Sequence, residues 1–344
     1  MSSLAGTSGI CCQVCCRRQR DGGHAARRFG ALAAGVAPSV FDLTWSPRSQ
    51  SHPCGILGRM LELTLDAAGR PGFLIRAISP MPYLDHWAFR KFAAEPPLAS
   101  RLAAALEARG GTLAVSWLNL GEYANVTDLD QRLEAERLLD RLLPAVFCIN
   151  VEPFEVVARQ RRGDPRAHAD EALAQLFWGT AGARAPTTVR PFTASGLFEP
   201  LNHRRLVESK ARLSGIIKGR LEALRQVHAT DAGFRTASLR ADRSTDAHAD
   251  TPTLAITRTL VSTFFPDLKR EITDNDALDF LHAAVPVSFC DAVLLDGATV
   301  HAVEQARRKP TGVRMAPVFS GRGDGVERFL AYLEGLPSPG KPTT

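Results

Sequence analysis

The sequence has no run of about 18 or more uncharged apolar residues, so no membrane-spanning helix is expected. It has no G-x-S-x-G and no GxxxxGK[ST], which argues against a serine nucleophile on a strand-to-helix elbow and against a P-loop. Cysteine is sparse and unevenly placed. Cys11, Cys12, Cys15 and Cys16 crowd into "CCQVCC", while Cys54, Cys148 and Cys290 are scattered. A structural zinc site needs two ligand pairs held apart by an ordered linker, and no second pair follows here. The odd, scattered count also argues against a disulfide framework and fits a reducing, cytoplasmic location. The first residues lack the apolar stretch of a signal peptide, and residues 1–55 are expected to be disordered.

What remains is enough for a large domain. Of 344 residues, 45% are hydrophobic and 23% charged, as in soluble globular chains. Lys and Arg number 42 against 36 Asp and Glu, and the net charge of +6 tilts toward a polyanionic partner.

The pattern of elements predicts an α/β domain over residues 56–335, with a tail at 336–344. "MLELTLDAAGRPGFLIRAIS" (60–79) is two short apolar runs about a Gly-Arg-Pro-Gly turn and predicts a hairpin. From residue 81 onward, strand and helix signals alternate. "MPYLD" ends a strand in Asp85, "PPLASRLAAALEARGG" is a helix, and "TLAVS" is a buried-type strand whose Ser116 is placed to cap the next helix. "DLDQRLEAERLLDRLLP" is a helix stopped by Pro144, and "AVFCINV" is a strand. Such alternation predicts a mainly parallel sheet between helical layers. Residues 152–269 read as a helical insertion, with "LAITRTLVSTFF" open to either helix or strand. Arg204 to Arg225 carry seven Lys or Arg against two Glu, so this segment is either a solvated face or a track for a phosphate backbone.

The acids are the notable feature. "TDNDALDFLHAAVPVSFCDAVLLDG" (273–297) sets Asp274, Asp276, Asp279, Asp291 and Asp296 among apolar residues. "DNDALDFLHAA" reads as a helix and "DAVLLD" as a strand ending in Asp296. In open α/β sheets the carboxyl ends of the strands line the binding crevice. Asp85 and Asp296 end strands, and Glu122 lies about one and a half turns into the helix after one. Asp276 and Asp279 share a helical face. Each has a plainer reading: Asp85 as a turn or cap, Glu122 as a solvated helix acid, Asp276 as a charge at a helix start. His282 reads as a packed or hydrogen-bonded histidine and Asp291 as a turn acid, while Glu152 and Glu155 follow a strand and are either structural or a further acid of the site.

"YLDHWAFRKF", "LAVSWLNLGE" and "DNDALDFLHAAVPVSFCDAVLLDG", in that order, resemble the PIN-domain nucleases, which include the toxin-type ribonucleases. The likeness covers roughly residues 81–150 and 270–310, with His86 where many members have Thr or Ser. The resemblance implies a three-layer PIN-like α/β/α fold interrupted by the helical insertion. It implies an endoribonuclease, toxin-like or RNA-processing, that uses Mg²⁺ or Mn²⁺ to hydrolyse RNA phosphodiester bonds. It assigns catalytic roles to Asp85, Glu122, Asp279 and Asp296, with Asp276 as a further metal ligand, and it allows a protein inhibitor as partner. The rival readings are a catalytically inactive PIN-fold RNA-binding or protein-interaction module, and a metal phosphohydrolase of small substrates.

Overall fold

The computed structural model describes residues 61–65, 71–143, 145–182, 192–230, 251–265, 267, 269–309 and 313–337. The expectations for residues 1–55, most of the tail, and the cysteine cluster lie outside them.

β1 (Leu61–Leu65) and β2 (Pro71–Ile75) form the predicted antiparallel hairpin, with Leu61 opposite Ile75. The main sheet has five strands: β3 (Pro82–Leu84), β4 (Leu113–Val115), β5 (Val146–Cys148), β6 (Ala292–Leu295) and β7 (Val318–Ser320). Their order is β5-β4-β3-β6-β7, and every neighbouring pair is parallel. The strands are short, and β3 to β6 are buried at every position. That explains their unbroken apolar runs, because a parallel sheet covered on both faces has no polar side to alternate with.

Helices follow the strands. α1 (His86–Ala94) and α2 (Pro96–Glu107) lead from β3 to β4; α3 (Trp117–Ala124) and α4 (Leu129–Leu142) lead on to β5. Leu143 is extended (φ −67°, ψ 135°), the conformation imposed on a residue before proline, so α4 ends where Pro144 requires. The segment read as an insertion holds α5 (Pro153–Arg161), α6 (Glu171–Gly182), α7 (Pro200–Thr230) and α8 (Pro252–Phe264). The ambiguous "LAITRTLVSTFF" is thus helical: Thr251 caps it by accepting from the Leu254 N–H, and Pro252 opens its first turn.

α9 (Asp274–Phe289) runs five residues beyond the expected "DNDALDFLHAA", straight through Pro286. Burial outweighs the proline. Val285, Pro286 and Val287 are all buried, and Phe289 stacks on His168 with ring centroids 3.7 Å apart. α10 (Gly297–Arg307), β7 and α11 (Gly325–Gly335) complete the chain. Neither β7 nor α11 is expected from the sequence pattern.

α1, α2, α4 and α11 pack on one another, as do α5, α8, α9 and α10. This α/β arrangement about a parallel sheet is compatible with three layers. α7 packs on both α3 and α9. The core includes Tyr83, Phe89, Phe92, Phe280 and Phe329, all essentially inaccessible. Burial of each such side chain stabilises the fold by about 1.5–3 kcal/mol.

The strand order reverses direction between β3 and β6. The chain leaves β3 toward β4 and β5 on one side and returns with β6 on the other. In such sheets this switch point opens a crevice at the carboxyl ends of the strands. Leu84 is level with Leu294, so Asp85 leaves the sheet level with Leu295, one residue short of its neighbour Asp296.

Candidate functional site

Asp85 extends β3 by one residue, since its N–H donates to the Leu294 carbonyl at 3.0 Å. Its Oδ1 accepts the Ala88 N–H at 3.1 Å, capping α1. The cap reading and the site reading therefore coincide. Asp85 is only 5% exposed. Burial pushes its carboxyl up to about 7, with the Asp296 charge adding; the His282 charge and N–H groups of Ala88 and Asp296 pull the other way. Asp296 caps α10 in the same manner, its Oδ1 accepting from Ala298 N at 2.7 Å and Thr299 N at 3.1 Å.

Glu122 is delivered by α3, and α3 is fastened to β3 at its start. Ser116 and Asn119 form a reciprocal capping box, and the Asn119 Nδ2 donates to the Leu84 carbonyl at 2.8 Å. Glu122 is not a solvated helix acid. Its side chain is 13% exposed, with Oε2 2.9 Å from His282 Nε2 and Oε1 3.9 Å from Lys210 Nζ. Burial alone would raise its carboxyl, but the charge and hydrogen bond of His282, with His86 and Lys210, bring it below the ordinary value. Lys210 comes close because Gly121 lets α7 against α3: a Cβ on Gly121 would lie 2.7 Å from Lys210 Cβ and 2.9 Å from the Leu206 carbonyl oxygen.

His282 is buried in α9, and its Nδ1 is 2.7 Å from the Tyr83 hydroxyl, itself 3.2 Å from Ser116 Oγ. Ser116 Oγ donates to Asn119 Oδ1 at 2.9 Å. A carboxylate only accepts, so His282 Nε2 donates to Glu122. With Nδ1 also protonated, each hydroxyl in turn donates to the next acceptor: His282 to Tyr83, Tyr83 to Ser116, Ser116 to Asn119. The imidazolium thus satisfies the whole chain. Burial opposes the charge, yet Glu122, through charge and hydrogen bond, and Asp85 and Asp279 through charge, raise the His282 pKa overall.

Asp279 lies one turn before His282. Its neighbours Leu278 and Phe280 are buried, as expected, but Asp279 itself is exposed. Among the described residues it has no hydrogen-bond or ion-pair partner. Partial desolvation by the surrounding protein pushes its carboxyl up to about 6, with the charges of Asp296, Glu122 and Asp276 adding and that of His282 opposing. Asp276 is engaged elsewhere. Its Oδ2 accepts from Thr273 N at 2.8 Å and Thr273 Oγ1 at 2.7 Å, and its Oδ1 pairs with Arg270. These bonds hold its carboxyl below the ordinary range against the effect of burial. It is the third helical residue of a capping box, the helix-start role the sequence also allowed.

The remaining acids fall outside the cluster. Asp291 sits at the amino end of β6, where its Oδ2 accepts from Ser79 Oγ at 2.7 Å and Met81 N at 2.8 Å. Glu152 caps α5 and pairs with Arg220 of α7 at 2.9 Å, and Glu155 is exposed.

The structure therefore makes Asp85, Glu122, Asp279 and Asp296 electrostatic neighbours around His282. Tyr83 and Lys210 join the site without a motif of their own; their only signal in the sequence is that Tyr83 precedes "LD" on a buried strand and Lys210 lies in the basic helix. Among the described residues no three His, Cys, Asp or Glu side chains stand as a ready metal-ligand set. The donor chemistry nonetheless suits a hard cation: Asp85 and Asp279 carry raised carboxyls beside Asp296, and a divalent ion relieves that repulsion. Glu122 would first have to exchange His282 for the ion. No described helix is long and apolar enough to cross a membrane. Compared with known proteins, the chain matches no family model, no curated protein and no solved structure.

Proposed function

We propose that this crevice is the centre of a PIN-like, metal-dependent hydrolase of RNA phosphodiester bonds. One observation carries the reading: Asp85 and Asp296 emerge as neighbours at the switch point of a parallel sheet, where the carboxyls of Asp85 and Asp279 stay raised even though the His282 charge opposes the rise. Asp85, Asp279 and Asp296 are the residues that would hold Mg²⁺ or Mn²⁺, with Glu122 as a fourth. When bound, such an ion supplies a water of lowered pKa and charge neutralisation at the scissile phosphate. The chain's own contribution is orientation. The Asn119–Leu84 bond fixes α3 against β3, the α1 and α10 N–H groups aim the two strand-end carboxylates, and His282 holds one oxygen of Glu122.

The test is cleavage of single-stranded RNA with Mg²⁺ or Mn²⁺ against a chelator control. Wild type should cleave only with the cation, and Asp85→Asn should lose cleavage. Equal cleavage by the two proteins, or cleavage indifferent to the chelator, defeats the proposal. A second reading, an inactive RNA-binding or protein-interaction module, is favoured by the closed Glu122–His282 pair. RNA binding without cleavage under any cation would select it.

A further inference from the structure

Arg322 lies in the turn between β7 and α11, at the carboxyl end of the strand beside β6. A Cβ built on Gly297 would meet Arg322 Nε at 2.8 Å and Cζ at 3.1 Å, so the guanidinium rests on the backbone of the residue directly after Asp296. The turn is also anchored on the other side. A Cβ on Gly321 would lie 2.5 Å from the Trp87 ring, and Trp87 belongs to α1, the helix that Asp85 caps. Two glycines thus let one turn close against both elements that carry the strand-end aspartates.

Arg322 is exposed, and its guanidinium has no hydrogen-bond or ion-pair partner among the described residues. Two other cations near the acids are already engaged, Lys210 with Glu122 and Arg270 with Asp276. An arginine held beside a carboxylate cluster, yet paired with none of it, is free for an anion brought in from outside. Guanidinium groups bind phosphate through two parallel N–H···O bonds.

We infer that Arg322 binds a backbone phosphate of single-stranded RNA lying across Asp85 and Asp296. This rests on the reading of the crevice as a phosphodiester site and adds to it the residue that grips the strand. Because the contact is with the backbone, it confers affinity and register without base preference.

The experiment is fluorescence anisotropy of a labelled single-stranded RNA oligonucleotide with the full chain, over a series of salt concentrations in chelator, where cleavage does not intrude. Arg322→Gln should weaken binding about ten-fold or more, as loss of a charge-assisted contact does. It should also reduce the slope of log K against log salt by about 0.7, the value of one phosphate contact on a single strand. Arg322→Lys should restore the slope and part of the affinity. Gly297→Ala keeps the charge but occupies the place of the guanidinium, so it should weaken binding while its melting temperature stays at or above that of wild type. Binding by Arg322→Gln with wild-type affinity and slope overturns the inference, as does a wild type that binds no RNA. Failure of the hydrolase proposal reads differently: RNA binding that depends on Arg322, with no cleavage under any cation.

Discussion

Replacing Asp85 by Asn should stabilise the metal-free protein at neutral and alkaline pH. The folded carboxyl titrates at about 7 against an ordinary 3.8. That gap is about three units, each worth about 1.4 kcal/mol, so ionised Asp85 costs the folded state about 4 kcal/mol at pH 8. The sign follows from linkage: the folded state holds the Asp85 proton across the interval from 3.8 to about 7, so stability is lost as pH rises through it. Asn removes that loss, but it has one acceptor oxygen, whereas Asp85 accepts from the N–H groups of both Ala88 and Asp296. One lost hydrogen bond costs about 1 kcal/mol, leaving a net gain of about 3 kcal/mol. His282 faces Asp85 and favours its charge, while Asp296 opposes it, and both are already included in the shifted value. The assay is urea unfolding of both proteins in chelator between pH 4 and 8. The variant's advantage should grow steadily with pH and be absent near pH 4. Added Mg²⁺ or Mn²⁺ should stabilise wild type more than the variant, because a ligand stabilises only the state that binds it. A variant no more stable than wild type at pH 8, or a difference that does not change with pH, refutes the reasoning.

Two further substitutions probe the polar framework. His282→Gln should destabilise the protein by about 3 kcal/mol, because buried Glu122 loses its charged hydrogen-bond partner and keeps only the weaker influence of His86 and of Lys210 at 3.9 Å. The raised His282 contributes below its ordinary 6.5 and fades as pH rises; the lowered Glu122 contributes above its ordinary 4.5 and fades as pH falls. Urea midpoints should therefore differ most between those two values and converge at alkaline pH. Arg220→Met leaves Glu152 buried beneath α7 and should also cost about 3 kcal/mol, with Arg220→Met/Glu152→Gln recovering most of it in a thermal-melt double-mutant cycle. Independent, additive losses in that cycle would show that the pair does not fasten α7.

The sequence alone determined the elements that depend on local signals. Apolar runs bounded by capping residues mark β3 to β6, and Ser116 and Thr251 begin helices because their hydroxyls satisfy orphan N–H groups a few residues ahead. Strand-end acids were legible for the same reason: an aspartate closing a buried apolar run is both a cap and a candidate ligand. Signals failed where burial overrides local preference. α9 passes through Pro286 because its far end is sealed against His168, and "VFS" is too short and too plain to mark the edge strand β7. Only tertiary structure could divide the acids. Asp276 and Asp279 are three residues apart, yet Arg270 and Thr273 claim the first while the second is left to face Asp296. Nor does any local pattern pair Glu122 with His282, 160 residues away, or lay Arg322 on Gly297. Those contacts follow from strand order, because placing β6 between β3 and β7 brings residues from three distant segments to one crevice. Chain connectivity encodes that order only through packing of the whole sheet.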